Sequence, residues 1–373
     1  MSALGIIAWL ARLLTLFALC GALLPLVRSG AWAVRVWDFP RVQMLIAIGV
    51  GLGCAAAIAW APKSRLEAAV LACLLLFASV FHIRAIVPFT PLAPLTVPQA
   101  TSPSFSVVVT NLDVRNQYHE GVREALEAQD ADVLLLVELD HEWERELAAL
   151  GTDYPHAVTE LREDGLGIAL WSRLPLETAT VEYLVSDRRA SIHATIVTPD
   201  GDRVRLIGIH PTPPALAIRS GEGRYDSRIR DAELVRVAEM VAEANEERRY
   251  DACIVAGDFN DVAGAHTTAL FQRLSGLEDP RVGRGLFSTY HAQRPLLRYP
   301  LDHVFVTPNI AVAHMRRLRI PGSDHFGIGA SIEVRSGGKD DVDSPSSGDR
   351  DEASEMHNEG QHDAASHGES ASG

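Results

Sequence analysis

The hydrophobic pattern divides the chain in two near Pro88. Upstream lie three runs of Leu, Ala, Val and Ile, at about 4–27, 42–61 and 66–87. Each meets the length a bilayer core demands of a helix, roughly 20 residues. The first run carries a single charge, Arg12. A cleaved signal peptide is the rival reading of that run, but two further spans would remain. Residues 1–87 are therefore expected to form a three-helix transmembrane region. Downstream, short apolar runs alternate with helical spacing. "FSVVVTNL", "ADVLLLVEL", "GIALWS", "SIHATIV", "RVRLIGIHP", "ACIVAGDF", "PLDHVFVT" and "GIGASIEV" read as strands, whereas "EGVREALEAQ" and residues 226–248 read as helices. Many strands with few long helices suit an α/β sandwich: two packed, mostly antiparallel or mixed sheets flanked by helices, over residues 104–335.

Composition refines these boundaries. Residues 88–103, "PFTPLAPLTVPQATSP", are rich in proline and predict an extended spacer that holds the domain off the membrane. Residues 336–373 are Ser, Gly, Asp, Glu and His without apolar periodicity, and predict a disordered acidic tail whose His357, His362 and His367 are loose polar composition. The first loop between spans carries Arg28, Arg35 and Arg41 against Lys63 and Arg65 in the second, which would place the domain in the cytoplasm. That loop also holds Trp32, Trp37 and Phe39 and equally suits an interfacial piece, so the side stays open. The expectation is an integral protein of the plasma membrane.

A net charge of −14 argues against a protein that coats nucleic acid, because phosphate affinity comes from clustered Lys and Arg. It leaves room for an enzyme whose positive charge is a bound cation. Cys20, Cys54, Cys73 and Cys253 sit singly in apolar stretches and propose neither a disulfide framework nor a thiolate metal site. The chemistry gathers instead at strand ends: Asn111, Glu138, His210, Asp258 with Asn260, and Asp324 with His325 in "GSDHF", while Asp302 and His303 open a strand. Each has an ordinary explanation as a cap, a turn residue or a satisfied core histidine. Together they are the oxygen-rich, thiol-free set that a hard divalent cation such as Mg²⁺ prefers, with Mn²⁺ as a substitute.

Asn111, Glu138, "GIH" ending in His210, "GDFN", "LDHVF" and "SDH" resemble, in order, the motifs of the endonuclease/exonuclease/phosphatase superfamily, the metal-dependent phosphodiesterases related to pancreatic deoxyribonuclease and the exonuclease-III-like repair nucleases. The resemblance spans nearly all of residues 104–335 and leaves out the membrane region and the tail. It implies metal ligands Glu138, Asn111, Asp258 and Asp324. Asp258 would orient or deprotonate the attacking water, Asn260 would help bind the phosphate, and His210 would donate to a phosphate oxygen or support the leaving group. His325, oriented by Asp302, would contact the phosphate as half of a carboxylate–histidine pair. Asn111 and Arg188 complete the expected substrate contacts. His210 followed by "PTPP" is similar to the deoxyribonuclease-type histidine, which makes abasic-site repair the less fitting branch. Asp113 reads as a metal-site acid or a solvated turn residue, and the Arg188–Arg189 pair as phosphate contacts or surface charge.

The implied activity is Mg²⁺-dependent phosphodiesterase or nuclease action by direct attack of water, since no nucleophilic Ser or Cys accompanies the histidines. The substrate class is a phosphoester, nucleic acid or phospholipid head group, and no protein partner is inferable. A lipid head-group or small phosphoester hydrolase is the alternative within the class. An inactive, membrane-tethered phosphate-ligand binding protein is the alternative outside it.

Overall fold

The computed structural model describes residues 2–214, 226–336 and 345–371. Three of its helices are long and apolar enough to cross a membrane: α1 (Ala3–Leu23), α3 (Arg41–Ala59) and α4 (Arg65–Ile86). α1 packs through small residues, Ala11, Ala18 and Gly21, against faces of α3 and α4 that bury Met44, Ile48, Leu71 and Leu75 beside Ala55 and Ala78, while Leu13, Leu16, Ile46, Leu76 and Val80 point outwards and exposed. Small residues on one helix admit the larger ones of its neighbours, and large apolar groups left outside suit a lipid solvent. Between α1 and α3 the chain forms a short α2 (Trp32–Arg35) and a buried ionic knot. Asp38 accepts from Arg41 at 2.9 Å and from Arg35 at 3.4 Å. Arg41 also donates to the Gly21 carbonyl at 2.9 Å, satisfying an orphan acceptor in the last turn of α1.

The remaining strands are β1 (Phe105–Asn111), β2 (Val133–Leu139), β3 (His156–Glu160), β4 (Gly167–Ser172), β5 (Leu176–Tyr183), β6 (Ala190–Val197), β7 (Arg203–Ile209), β8 (Ala252–Asp258), β9 (Asp302–Val306), β10 (Ile310–Arg319) and β11 (Phe326–Val334). One sheet runs β10-β11-β1-β2-β4-β3 and the other β5-β6-β7-β8-β9. Both are mixed: β1 with β2 and β7 with β8 are parallel, and their other pairs are antiparallel. The inner faces meet in one core through Val107, Val109, Leu135, Ile192, Leu206, Ile254 and Ile328. Helices α5 (His119–Glu127), α6 (His141–Glu146) and α7 (Ala148–Gly151) cover the first sheet; α8 (Arg228–Glu246), α9 (His266–Ser275) and α10 (Ser347–Ser366) cover the second. Central strands such as "VLLLV" are covered on both faces, which is why they read as continuous apolar runs rather than alternating ones. The chain is the four-layer α/β sandwich that the pattern predicts.

Two expectations from composition are overturned. The tail forms α10, started by a Ser346–Asp349 capping box and seated on α8 and α9 through Ala353, Met356 and Ala364. Few apolar residues suffice there because small ones allow close approach and ion pairs flank them: His266–Glu352 at 2.5 Å and Arg273–Asp349 at 2.8 Å. The stretches 337–344 and 372–373 of the predicted tail lie outside the described residues. The proline-rich segment is likewise no free spacer. Val97 and Ala100 are buried, Gln99 bridges to Val312, and Arg284 donates to the Val97 carbonyl at 2.9 Å. Nor is the domain held away from the apolar helices. Phe39 packs into the cluster of Val262, Ala265 and Leu301, and Ser227 donates through its backbone to Gly30 at 2.8 Å.

Candidate active site

The ends of β1 and β2 in one sheet and of β7 and β8 in the other lie at one edge of the sandwich, and the polar residues placed there converge. Glu138 sits where the β2–β4 register shifts, between Val137 and Leu139, with φ of +61°. A bulge of this kind re-aims one side chain, and a non-glycine residue at positive φ is strain characteristic of a functional position. At the corresponding place in β8, Gly257 has φ of +146°, and a Cβ there would lie 1.8 Å from the Ile209 carbonyl oxygen. Only glycine lets β8 stay paired with β7 while presenting Asp258.

Asn111 joins the two sheets. Its amide nitrogen donates to Glu138 Oε1 at 2.8 Å and to Asp258 Oδ2 at 3.1 Å, while its oxygen accepts from the Asp113 backbone at 2.9 Å. The oxygen expected among the metal ligands accepts one backbone N–H and keeps its second lone pair, while the nitrogen holds two carboxylates together. Asp258 Oδ1 accepts from the Asn260 backbone at 3.0 Å, an Asx turn in which Asn260 adopts φ of +50°. The Asn260 side chain donates to the Pro211 carbonyl at 2.9 Å, which ties the "GDFN" turn to the residue after His210.

Asp302 lies opposite Asp258 in the β8–β9 register and is fully buried. Its Oδ2 accepts a hydrogen bond from His325 Nδ1 at 2.8 Å, and the far nitrogen of that ring is 3.6 Å from Asp258 Oδ2. Burial alone would lower the His325 pKa, but Asp302 and Asp258, with Asp324 beyond, push it up to about 10. Asp258 is displaced well above the usual carboxylate range, chiefly by burial, with His325 opposing. Glu138, open to solvent over 27% of its side chain, is also raised by desolvation, with the Asn111 hydrogen bond opposing. Ser323 holds the "SDH" loop in place by donating to the Asn111 carbonyl at 2.8 Å and accepting from the His325 backbone at 3.0 Å. Asp324 lies at the rim, 3.9 Å from Arg115, and its charge acts on both Glu138 and His325.

His210 is buried, with Nε2 3.9 Å from Glu138 and 3.8 Å from Asp258. Burial, then the charge of Arg189, hold its pKa well below the usual value, so the ring is neutral. Arg189 Nη1 donates to His210 Nδ1 at 3.2 Å. Arg188, expected at the substrate, points the other way, 3.4 Å from Glu369 and 3.5 Å from Asp164. Arg188 lies in the turn that precedes β6 and Arg189 at the mouth of the strand, and of the two it is Arg189 that is buried against His210. The rim also holds Tyr290, whose ring lies 4.9 Å from that of His325, a residue the strand-end pattern had no means to flag.

Residues 110–325 match the endonuclease/exonuclease/phosphatase family. The chain belongs to that family. No curated protein matches the sequence. Among solved structures, it is similar to the catalytic domain of human Nocturnin with bound sulfate, at 16% identity, covering 65% of this chain and 97% of that one with a TM-score of 0.50. It is also similar to a humanized D. rerio TDP2, at 17% identity over 62% and 99% of the two chains (TM-score 0.47). A conserved protein of unknown function from Enterococcus faecalis matches at 16% identity over 62% and 100% (TM-score 0.48). At this identity the Nocturnin structure speaks to the fold alone, and the family match to the chemistry: the chain is a metal-dependent phosphoric ester hydrolase of the endonuclease/exonuclease/phosphatase type.

The residues present fit a divalent ion. Asp258, Asp302 and His325 offer ligand atoms within 4.8 Å of one another, and the buried Asp302 Oδ1 has no hydrogen-bond partner. Glu138 and Asp258, drawn together by Asn111 with Asp324 nearby, offer a second set composed of oxygens alone. The second suits a hard cation better, because an imidazolium already neutralised by two carboxylates is a poor ligand.

Proposed function

We propose that this chain is a membrane-anchored phosphodiesterase that uses Mg²⁺, with Mn²⁺ as a substitute, to hydrolyse a phosphate ester by direct attack of water. Glu138 and Asp258, with Asp324 at the rim, would hold the ion, which screens the phosphate oxygens and the developing charge. Asn111 sets the spacing of those carboxylates. Asp258, desolvated and raised in pKa, takes a proton from the attacking water. His325, kept protonated by Asp302, donates to a phosphate oxygen as negative charge builds, and neutral His210 with Arg189 supplies further donors. Asn260 orients the phosphate. The anchor is the bundle of α1, α3 and α4, with the plasma membrane as the expected location.

One observation carries the reading: the Asn111 amide bridges Glu138 of one sheet and Asp258 of the other, so acids far apart in sequence face one small volume. Their retention, with the Asp302–His325 pair at 2.8 Å, favours an active enzyme over an inactive binding protein. The test is turnover of a soluble phosphodiester by the full chain, with Mg²⁺ and with chelator. Asp258→Asn and His325→Ala should each lose several powers of ten in kcat. Equal turnover with chelator, or by both variants, overturns the proposal.

A further inference from the structure

The hairpin that touches His325 also touches the first turn of a membrane-crossing helix. Residues 290–299 fold back on themselves, with the Tyr290 backbone donating to the Tyr299 carbonyl at 2.9 Å and that of His291 to Leu297 at 2.9 Å. On one side the hairpin is fastened to the site. Tyr290 packs on His325, the Ala292 backbone donates to the Asp324 carbonyl at 2.6 Å, and the Gln293 side chain donates to Gly322 at 3.1 Å. On the other side Tyr299 meets Phe39 edge-on at 5.6 Å, and the Leu296 carbonyl accepts from Gln43 at 2.8 Å. Gln43 is in the first turn of α3, whose following residues are apolar to Ala59. The tip, "RPLL", is exposed throughout, with Leu296 77% and Leu297 45% exposed.

Two exposed leucines beside an exposed arginine are costly in water and suited to the boundary between acyl chains and head groups. With α3 in a bilayer, the bond to Gln43 sets the tip at that boundary. His325 then stands one hairpin arm away, five residues that turn at 292–293 and in a 3-10 turn at Pro295–Leu297, so the separation is less than the roughly 15 Å that extended chain would span. The buried knot of Arg35, Asp38 and Arg41 and the packing of Phe39 against Val262 fix this face to the membrane helices, so the distance does not depend on a loose linker. The net charge of −14 also opposes a long polyanion such as nucleic acid, whereas a head group presents one phosphate at a time.

We propose that the substrate is a phosphodiester carried by a lipid in the leaflet that anchors the domain, with Leu296 and Leu297 inserted as the rim that presents head groups to the site. This rests on the metal-dependent phosphodiesterase reading above. In the step, water oxygen bonds to phosphorus and the ester P–O bond breaks. The proton lost by water is balanced by the one taken up by the leaving alkoxide, giving one alcohol and one phosphomonoester.

The full chain is reconstituted in vesicles of equal parts phosphatidylcholine and phosphatidylglycerol. Its turnover of those lipids is compared, with Mg²⁺, with that of a soluble aryl phosphodiester and of single-stranded and duplex oligonucleotides. Lipid should be the fastest substrate. The paired substitution Leu296→Glu, Leu297→Glu should lower the ratio of lipid to soluble-ester turnover by about tenfold or more, the worth of burying one leucine in partition. Leu296→Trp with Leu297→Phe, which still insert, should keep the ratio, separating insertion from a merely structural role. Oligonucleotide turnover above lipid turnover, or an unchanged ratio in the glutamate variant, overturns the lipid assignment. If the soluble ester is cleaved and Asp258→Asn abolishes that cleavage, such a result leaves the phosphodiesterase reading standing. If no ester of any kind is cleaved, both fall.

Discussion

Replacing Asp302 with asparagine probes the part of the site that the structure defines most closely. Asp302 is fully buried and accepts a hydrogen bond from His325 Nδ1 at 2.8 Å, while Asp258 lies 3.6 Å from the other nitrogen. The rise of the His325 pKa from 6.5 to about 10 corresponds to about 5 kcal/mol in favour of the charged ring, an order-of-magnitude figure shared between the two carboxylates. Removing the nearer charge leaves burial less opposed, so the ring loses its proton at a lower pH. In the parent, the stability that this ring contributes is complete below its unfolded pKa of 6.5 and is lost as pH rises through about 10. The alkaline limb of the kcat profile should therefore shift towards neutrality in Asp302→Asn, and kcat at pH 8 should fall by roughly 10²–10⁴. The assay is steady-state hydrolysis of a soluble phosphodiester between pH 5 and 10 at saturating Mg²⁺, with thermal unfolding to confirm the fold. A profile that superimposes on the parent's would refute the reasoning, because Asp302 would then exert no control over the ring.

Three further outcomes follow from the same geometry. Asn111→Ala should weaken Mg²⁺ binding by about 10–100-fold in calorimetry, since it releases two carboxylates from their common donor; unchanged affinity would place the ion elsewhere. Arg189→Met should lower kcat/KM roughly a hundredfold, whereas Arg188→Met, which loses ties to Glu369 and Asp164 away from His210, should change it little; the reverse order would restore Arg188 to the site. His193, fully buried in β6, has its pKa lowered to about 4 by burial, with Glu182 opposing. The unfolded chain therefore takes up a proton near pH 6.5 that the folded chain refuses, and up to about 3 kcal/mol of stability should be lost as pH falls from 6.5 towards 4. Denaturant unfolding of His193→Gln should show a shallower acid loss, and an equally steep one would remove His193 as its source.

Much of the fold was legible because its central strands are buried on both faces, and runs such as "SVVVT" and "DVLLLV" have few other ways to be satisfied; the half-exposed β3, β5 and β10 carry no such run and went unread. The polar ends of those runs were legible for the same reason: a residue such as Asp258 after "CIVAG" breaks an apolar pattern at the point where a strand emerges. What stayed hidden depends on direction and on contacts distant in the chain. No one-dimensional pattern says that Arg189 rather than Arg188 faces inwards, or that the Asn111 amide turns its nitrogen to two acids and its oxygen to the backbone. The tail misled because α10 docks through alanines and ion pairs, which composition scores as polar. The proline-rich segment misled because Val97 and Ala100 are too few to register as a pattern yet are enough to fasten it.

The central claim is that acids from both sheets gather one divalent ion beside Glu138. Anomalous diffraction from crystals of the full chain grown with Mn²⁺ locates that ion directly. A peak bonded to Glu138 oxygen on the side facing Asp258 is expected. A peak enclosed by Asp258, Asp302 and His325 with Glu138 uninvolved, or no peak within reach of Glu138, would contradict it.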